Sequence, residues 1–387
     1  MYKIKLMNKV AEAGPEFLQA RDCEVFEEIE NPDAMLVRSA KLHEYPFNPE
    51  LLCIARAGAG TNNIPLERCL EEGIVVFNTP GANSEAVKEL AICALLMSSR
   101  DVVGGADWVR SLATEGDAIP GMVEKGKGSF AGPELAGKTL GVIGLGAVGA
   151  KLASAALSLN MTVYGFDPYL SVDAAWMLSS QVIHATDIDM LLRASDYISI
   201  HVPYMKSTHH LINRESIAKM RDGVRLINLA RGELVDDDAM VDAIDNAKVA
   251  CYVTDFPNDK IVGVPNVVAL PHLGASTPES EEKCAVMAAK EILAYLQHGN
   301  IENSVNFPNT SLPRTGTARL CIFHRNVPRM LNACLDVIGQ ENLNVDNLVN
   351  KARGDYAYSI IDIDSQVNPS VVDTLSAIEG IIRVRLI

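Results

Sequence analysis

The chain has 387 residues, of which 48% are hydrophobic, enough apolar material for the cores of two or three domains. Its formal net charge of −15 argues against nonspecific binding to nucleic acid and against adhesion to anionic membranes. The eight cysteines form no CxxC pair, which predicts free thiols in a reducing compartment. Because no signal-peptide pattern is present and no run reaches the ~18 apolar residues of a membrane helix, we expect a cytoplasmic protein.

Short apolar runs alternate with helical patterns in the first hundred residues. The predicted strands cover residues 4–7, 34–37, 52–55 and 75–78. A helix is predicted at 65–72, and a long, well-capped helix at 83–99. This alternation predicts a parallel sheet covered by helices. Gly, Pro and Lys crowd residues 116–137, which we predict to be a loop or arm.

The second half repeats the pattern more densely. Predicted strands with helices between them cover residues 139–143, 162–166, 197–201, 224–228, 250–254 and 267–270, which describes a doubly wound sheet. A helix at 278–297 and a polar linker at 300–316 follow. The last segment predicts, in order, a strand at 318–324, a helix at 328–340, strands at 343–352 and 356–363, a helix at 369–377 and a strand at 381–386. This βαββαβ order is typical of a ferredoxin-like module.

The fold class is therefore α/β, with two Rossmann-like parallel-sheet domains and a C-terminal ferredoxin-like module. We predict a discontinuous outer domain made of residues 1–97 and 280–308. A nucleotide-binding domain occupies 98–279, and the C-terminal module occupies 316–387.

The most specific local motif is Gly144-Leu-Gly146-Ala-Val-Gly149, which follows a predicted strand and opens a predicted helix. Gly144 permits the tight turn, Gly146 lets the backbone approach a pyrophosphate, and Gly149 lets helix and strand pack closely. Asp167 ends the next strand, where a carboxylate binds the adenosine ribose hydroxyls and repels a 2′-phosphate. The motif therefore predicts a site for NAD rather than NADP.

Arg231 and His272 each follow a predicted strand of this sheet. Ligands of open α/β sheets bind outside the carboxyl ends of the strands. Arg231 suits a substrate carboxylate and keto oxygen, although a surface salt bridge is the alternative. His272 suits proton donation during reduction of a keto group, although a structural role is the alternative. We expect a carboxylate partner for His272, with Asp259 as the nearest candidate and Asp255 as its rival.

The strand ends of the first sheet carry basic and polar residues. Arg38 and Arg56 together suit a doubly charged phosphate, although each alone is more typical of a surface charge. The loop 58–60 presents backbone N–H groups that suit a carboxylate. These features predict an anionic substrate. The other histidines show no metal-ligand spacing, and we expect no metal at His43, His184, His209, His210 and His298.

Several segments together resemble the D-isomer-specific 2-hydroxyacid dehydrogenases over essentially the full length. They are VRSA, RAGAGTNNI, FNTPGANSEAVKE, GVIGLGAVG, ISIHVPYMKST, INLARGELVD and PHLGAST. The resemblance implies a catalytic set of Arg231, an acidic residue and His272. The implied NAD site includes Gly144, Gly146, Ala147, Val148, Gly149, Asp167, His201, Pro203, Thr208, Ala230, Asp255 and Gly274. The implied substrate ligands are Arg38, Ser39, Arg56, Ala59, Gly60 and Asn83.

The implied reaction is NAD-dependent oxidation of a phosphorylated 2-hydroxy acid, 3-phospho-D-glycerate, at the start of L-serine biosynthesis. Glycerate, lactate and 2-hydroxyglutarate stay open as substrates, although Arg38 with Arg56 argues against lactate. A non-catalytic NAD(H)-sensing protein is a further alternative, against which the joint presence of Arg231 and His272 argues. We expect a homodimer or homotetramer.

Two positions depart from the family pattern. Most members have a Glu in the catalytic set where this chain has Asp259, whose side chain is one methylene shorter. Residues 316–387 resemble a regulatory ACT domain, in which His324, Asn326 and Asn344 match positions that bind L-serine in serine-inhibited relatives. Arg329 stands where that domain usually has Gly.

Overall fold

The computed structural model describes residues 1–176 and 178–387, which form two compact units. The first unit contains residues 1–83 and 278–387, and the second contains residues 84–277. Among the described residues, no helix has both the length and the apolar character needed to cross a membrane. All eight cysteines are free, and only Cys93 is exposed.

The first unit opens with a five-stranded parallel sheet in the order β2-β1-β3-β4-β5. Its elements are β1 (Tyr2–Leu6), α1 (Ala13–Gln19), β2 (Cys23–Phe26), β3 (Ala34–Val37), β4 (Cys53–Arg56), α2 (Leu66–Glu71) and β5 (Val75–Asn78). The predicted strands are present, and β2 was missed. One face of the sheet packs against α1 and the long helix α11 (Pro278–His298), and the other packs against α2.

The second unit is a seven-stranded parallel sheet in Rossmann order, with helices on both faces. It begins with α3 (Ser84–Ser99), α4 (Val102–Ser111) and α5 (Ile119–Gly126). The strands and their flanking helices are β6 (Thr139–Ile143), α6 (Ala147–Ser158), β7 (Thr162–Phe166), α7 (Val172–Trp176), β8 (Ile183–His184), α8 (Ile188–Ala194), β9 (Tyr197–Ile200), α9 (Arg214–Lys219), β10 (Val224–Asn228), α10 (Asp237–Asp245), β11 (Val249–Thr254) and β12 (Val267–Ala269). The six-strand prediction omitted β8, which pairs with β7 at the edge of the sheet.

Residues 116–137 were predicted to be a loop or arm, and this was wrong for much of the segment. Short 3-10 helices at Gly116–Ala118 and Lys127–Phe130 flank α5. Pro120 stands in the first turn of α5, where its missing N–H costs nothing. Trp108 packs against Phe130 with ring centroids 5.2 Å apart. Pro120, Gly121 and Gly126 therefore belong to the helix α5 and not to a loop.

The boundary between the units also falls at a different place from the predicted one at residue 97. α3 packs against α6, and its apolar residues join the core of the seven-stranded sheet. The helix therefore belongs with the second unit over its whole length.

The C-terminal module has the predicted βαββαβ order. Its elements are β13 (Ala318–Arg325), α12 (Met330–Gln340), β14 (Val345–Arg353), β15 (Tyr356–Ile363), α13 (Ser370–Ser376) and β16 (Ile381–Leu386), with sheet order β14-β15-β13-β16. Alternate residues of β13 point to opposite faces. Leu320 and Ile322 pack under α12 and α13, whereas Cys321 and Phe323 join the core shared with α11. The module is thus continuous with the core of the first unit.

Candidate active site

The dinucleotide motif lies between β6 and α6. Gly144 has a φ of +91°, and a Cβ at this position would lie 2.6 Å from the carbonyl oxygen of His201. A Cβ at Gly149 would lie 1.9 Å from the carbonyl oxygen of Gly144. At Gly146, in contrast, a Cβ would have no described neighbour within 4 Å. The fold itself requires the outer two glycines, whereas Gly146 leaves open space that fits the pyrophosphate of a dinucleotide.

Two further features suit this motif to NAD. The N-cap of α6 is Gly146 and no side chain caps it, so N–H groups at the positive end of the helix dipole stay available for an anion. Asp167 accepts hydrogen bonds from the backbone N–H of Leu145 and of Tyr169, both at 2.9 Å. These bonds hold the carboxylate beside the glycine-rich turn, where its remaining lone pairs suit ribose hydroxyls.

Other predicted cofactor residues lie at the ends of β9 and β10, beside the motif. The His201 N–H donates to the carbonyl of Ile143 at 2.7 Å, and the ring Nε2 lies 2.8 Å from the Ser199 hydroxyl. Burial lowers the pKa of His201 to about 4, so the imidazole is neutral at physiological pH. The Thr208 hydroxyl donates to the Pro203 carbonyl at 2.9 Å and closes the loop between them.

The turn after β10 is held by Asn228, a buried residue to which the sequence analysis gave no role. Its side-chain N–H donates to the carbonyl of Arg231 at 2.8 Å, and its oxygen accepts the N–H of Ala230 at 3.2 Å. Arg231 is half-buried, and its Nη1 donates to the Ala230 carbonyl at 2.6 Å. The amide of Asn228 therefore fixes the turn that presents the Arg231 guanidinium.

Asp255 directly follows β11 and is 1% exposed. One carboxylate oxygen accepts the N–H of Gly274 at 3.3 Å, and the other has no hydrogen-bond partner among the described residues. Burial raises the pKa of Asp255, while the positive charges of His272 and Arg231 act in the opposite direction. A buried carboxylate is thus within electrostatic reach of both predicted catalytic cations.

His272 is exposed, and its ring packs edge-on against Phe256 with centroids 4.8 Å apart. Asp259, the predicted acidic partner, lies in an exposed part of the loop after β11. Asp255 and Asp259 differ in exposure because Asp255 comes directly after the buried strand β11, whereas Asp259 is four residues further along the loop. Of the two candidates considered for the partner, Asp255 is buried and Asp259 is exposed.

The first unit organises its predicted substrate residues around Asn8, which the sequence analysis overlooked. The Asn8 Oδ1 accepts the backbone N–H groups of Arg38, Ser39 and Ala40 at 3.0, 3.3 and 3.4 Å. The Arg56 Nε donates to the Arg38 carbonyl at 3.0 Å. The two arginines are therefore held side by side at the ends of β3 and β4.

The neighbouring loop is closed by bonds to β5. The carbonyl of Ala59 accepts the Asn78 side-chain N–H at 2.5 Å, and a Cβ at Gly58 would lie 2.8 Å from Arg56 Nη1. Gly60 and Asn83 are half-buried. Gly58 also has a φ of +152°, which residues with a side chain rarely adopt, so glycine suits this point of the loop.

The predicted effector residues make bonds within the C-terminal module. His324 is 2% exposed; its Nδ1 lies 2.8 Å from the Arg325 carbonyl and its Nε2 lies 3.1 Å from the Ser359 hydroxyl. Asn326 donates to the Gly354 carbonyl at 3.1 Å. Asn344 donates to Asp364 at 3.0 Å. Arg329 has a φ of +68°, which explains why glycine suits this position.

Comparison with known proteins shows which family this chain belongs to. Residues 92–274 match the model of the D-isomer specific 2-hydroxyacid dehydrogenase, NAD binding domain. A D-3-phosphoglycerate dehydrogenase of Bacillus subtilis is 33% identical over 76% of this chain, which spans 55% of that protein's length. A D-3-phosphoglycerate dehydrogenase of Escherichia coli is 33% identical over 87% of this chain and 82% of its own length. A hydroxypyruvate reductase of Thermotoga maritima is 37% identical over 70% of this chain and 88% of its own length.

Among solved structures, the NAD+-bound 3-phosphoglycerate dehydrogenase of Entamoeba histolytica is 27% identical, with a TM-score of 0.62. The match covers 80% of this chain and 99% of that one. The chain belongs to the D-isomer-specific 2-hydroxyacid dehydrogenases, a family of NAD-dependent oxidoreductases.

Proposed function

We propose that the protein oxidises 3-phospho-D-glycerate to 3-phosphohydroxypyruvate with NAD, and catalyses the reverse reduction, in the cytoplasm as part of L-serine formation. The observation that carries the chemistry is the placement of three side chains at neighbouring strand ends. The buried Asp255 directly follows β11, and Arg231 and His272 come shortly after the flanking strands β10 and β12. The paired arginines at positions 38 and 56 support a phosphorylated substrate, and so does the activity for which the Bacillus and Escherichia relatives are named.

The NAD site would be formed by the glycine-rich turn, the N-terminus of α6 and Asp167. When bound, NAD supplies the acceptor or donor of the hydride at C2 of the substrate. Arg231 binds the substrate carboxylate through its guanidinium N–H groups and orients C2.

His272 takes the proton from the C2 hydroxyl during oxidation and returns it to the keto oxygen during reduction. The partnerless oxygen of Asp255 stabilises the imidazolium that forms on His272. Asp259, the acidic partner of His272 predicted from the sequence, stays the alternative to Asp255. Arg38 and Arg56 bind the phosphate.

The proposal also assigns an oligomer of this chain. Val102, Val103 and Val109 of α4 are exposed apolar side chains, and neither α4 nor α5 contains a buried residue. A second copy covering this helical hairpin would remove those side chains from water. Light scattering behind a sizing column tests this, and a monomer at micromolar concentration would refute it.

L-serine as an effector is a separate prediction. Both ring nitrogens of His324 already have partners inside the module, so serine binding requires His324 to release at least one of them. Titrating L-serine against activity tests the prediction: saturable inhibition supports it, and unchanged activity at millimolar serine contradicts it.

The substrate assignment is tested by NADH oxidation with 3-phosphohydroxypyruvate, hydroxypyruvate and pyruvate, with NADPH as the cofactor control. We expect the highest kcat/KM for the phosphorylated substrate with NADH. A preference for hydroxypyruvate would instead favour the activity in the name of the Thermotoga relative. Turnover of none of the three would favour the NAD(H)-sensing alternative.

A further inference from the structure

Arg38, one of the two proposed phosphate ligands, is paired with a carboxylate of its own unit. Its Nη2 lies 2.5 Å from Oε1 of Glu281, in the first turn of α11. The side chains of Arg38 and Glu281 are 40% and 33% exposed. An ion pair that solvent reaches on this scale is weak, so a competing anion can displace it.

Two further residues, Arg56 and Cys284, lie close to the ion pair between Arg38 and Glu281. Arg38 and Arg56 are tied together through the bond from Arg56 Nε to the Arg38 carbonyl. One turn after Glu281, the buried Cys284 is affected electrostatically by both arginines. Burial raises the pKa of the Cys284 thiol more strongly than the arginines lower it, so this thiol adds no charge at neutral pH. Glu281 places one negative charge next to the guanidinium of Arg38.

We propose that Glu281 is a specificity-determining residue that acts as an internal counter-ion for Arg38. This inference rests on the proposed function, since it concerns the group at C3 of the same substrate. A phosphate dianion has the charge and the oxygen geometry to take Arg38 from a single carboxylate. A neutral hydroxyl at the same position cannot do so. Glu281 therefore determines how strongly the binding of the substrate depends on the charge of the substrate.

The test is steady-state kinetics of Glu281→Gln in the full-length enzyme, with 3-phosphohydroxypyruvate and hydroxypyruvate compared at the same NADH concentration. Removing one charge at roughly 6–8 Å from a dianion in a solvated site corresponds to about a five- to tenfold change in binding. We expect KM for 3-phosphohydroxypyruvate to fall by about that factor. KM for hydroxypyruvate should stay within about twofold, and kcat should change little for either substrate.

Two controls separate charge from shape and from folding. Glu282→Gln makes the same charge change at the next, exposed position of α11 and should leave both KM values unchanged. Glu281→Asp keeps the charge and should keep KM for the phosphorylated substrate close to the wild-type value. Thermal melts of each variant verify that the fold is intact.

Three results would overturn the inference. The first is an unchanged or increased KM for 3-phosphohydroxypyruvate in Glu281→Gln, and the second is an equal change for both substrates. The third is a Glu281→Asp variant that behaves like Glu281→Gln. Each of these leaves the proposed function standing, whereas a wild-type enzyme that fails to reduce 3-phosphohydroxypyruvate overturns both together.

Discussion

Replacing Arg319 with Met should strongly destabilise the first unit. Arg319 and Asp362 are both fully buried, and two hydrogen bonds of 2.6 and 2.8 Å join the guanidinium to the carboxylate. The remaining Nη1 donates to the His298 carbonyl at 2.7 Å, at the C-terminus of α11. Thr315 supplies two further hydrogen bonds to Asp362. Arg319 thus joins the C-terminal module to the last turn of the helix beneath it.

The magnitude follows from what the substitution leaves behind. Met has a similar length but removes the charge, so the buried Asp362 carboxylate keeps only its bonds to Thr315. Removing one partner of a buried ion pair costs about 3–5 kcal/mol, and an unsatisfied carbonyl at His298 adds about 1 kcal/mol or more. Against a total stability of about 5–15 kcal/mol, a loss of this size lowers the unfolding midpoint substantially. Urea denaturation followed by far-UV circular dichroism measures this loss of stability. Tryptophan fluorescence is not suitable, because Trp108 and Trp176 both lie in the other unit.

The double variant Arg319→Met with Asp362→Leu provides the decisive comparison. It leaves no uncompensated charge and should recover most of the loss, because well-packed apolar residues often replace a buried pair at little cost. Arg110→Met, which removes an exposed surface pair, should change stability by less than about 0.5 kcal/mol. A single variant within about 1 kcal/mol of wild type, or a double variant as unstable as the single one, would refute this reasoning.

Three further predictions follow from individual residues. Gly146→Ala should weaken NADH binding at least about tenfold in calorimetry with an unchanged Tm, because the added Cβ enters the open space proposed for the pyrophosphate. An unchanged affinity for NADH would contradict the proposed pyrophosphate site at the glycine-rich turn. Burial raises the pKa of Glu291 from 4.5 to about 8, so the folded state retains a proton that the unfolded chain releases. The stabilising contribution of the Glu291 proton is complete below pH 4.5 and falls by about 1.4 kcal/mol per pH unit towards pH 8. Glu291→Gln should remove this pH dependence from the urea midpoints measured at pH 5.5, 7 and 8.5. The control variant Glu302→Gln, at an exposed position, should retain it. Arg329→Gly should leave the stability unchanged or raise it by up to about 1 kcal/mol, since it relieves a left-handed φ of +68°, and a clear loss in thermal unfolding would contradict this explanation.

The elements that could be predicted from sequence are those whose local pattern agrees with their burial. β3 is a continuous apolar run of buried residues, and so are the first three residues of β5. Both strands were predicted with correct bounds. β8 has two residues, both exposed, and exists only because β7 lies beside it. No local pattern specifies such an edge strand. α5 was hidden by Pro120 and its glycines, which are common in loops but also suit a first helical turn or close packing.

The candidate site also contains residues that a local sequence pattern predicts and residues that depend on contacts with distant segments. Strand-end reasoning located the glycine-rich turn, Arg231 and His272, because the carboxyl ends of parallel strands converge at one edge. The contacts of Asn8, Asp255 and Glu281 join segments that are far apart in sequence. Asn8 meets Arg38 from 30 residues away, and Glu281 meets it from 243 residues away. Their identity and spacing carry no local signal for those contacts.

The central claim is that a hydride passes between NAD and C2 of a D-configured phosphorylated hydroxy acid. NADH deuterated at C4 of the nicotinamide, on the face that the enzyme uses, can be incubated with 3-phosphohydroxypyruvate and the wild-type enzyme. The product is then analysed by NMR and by chiral chromatography. We predict D-3-phosphoglycerate carrying deuterium at C2 with one of the two C4-labelled forms. Formation of the L isomer, or of no C2-labelled product with either form, would contradict the assignment.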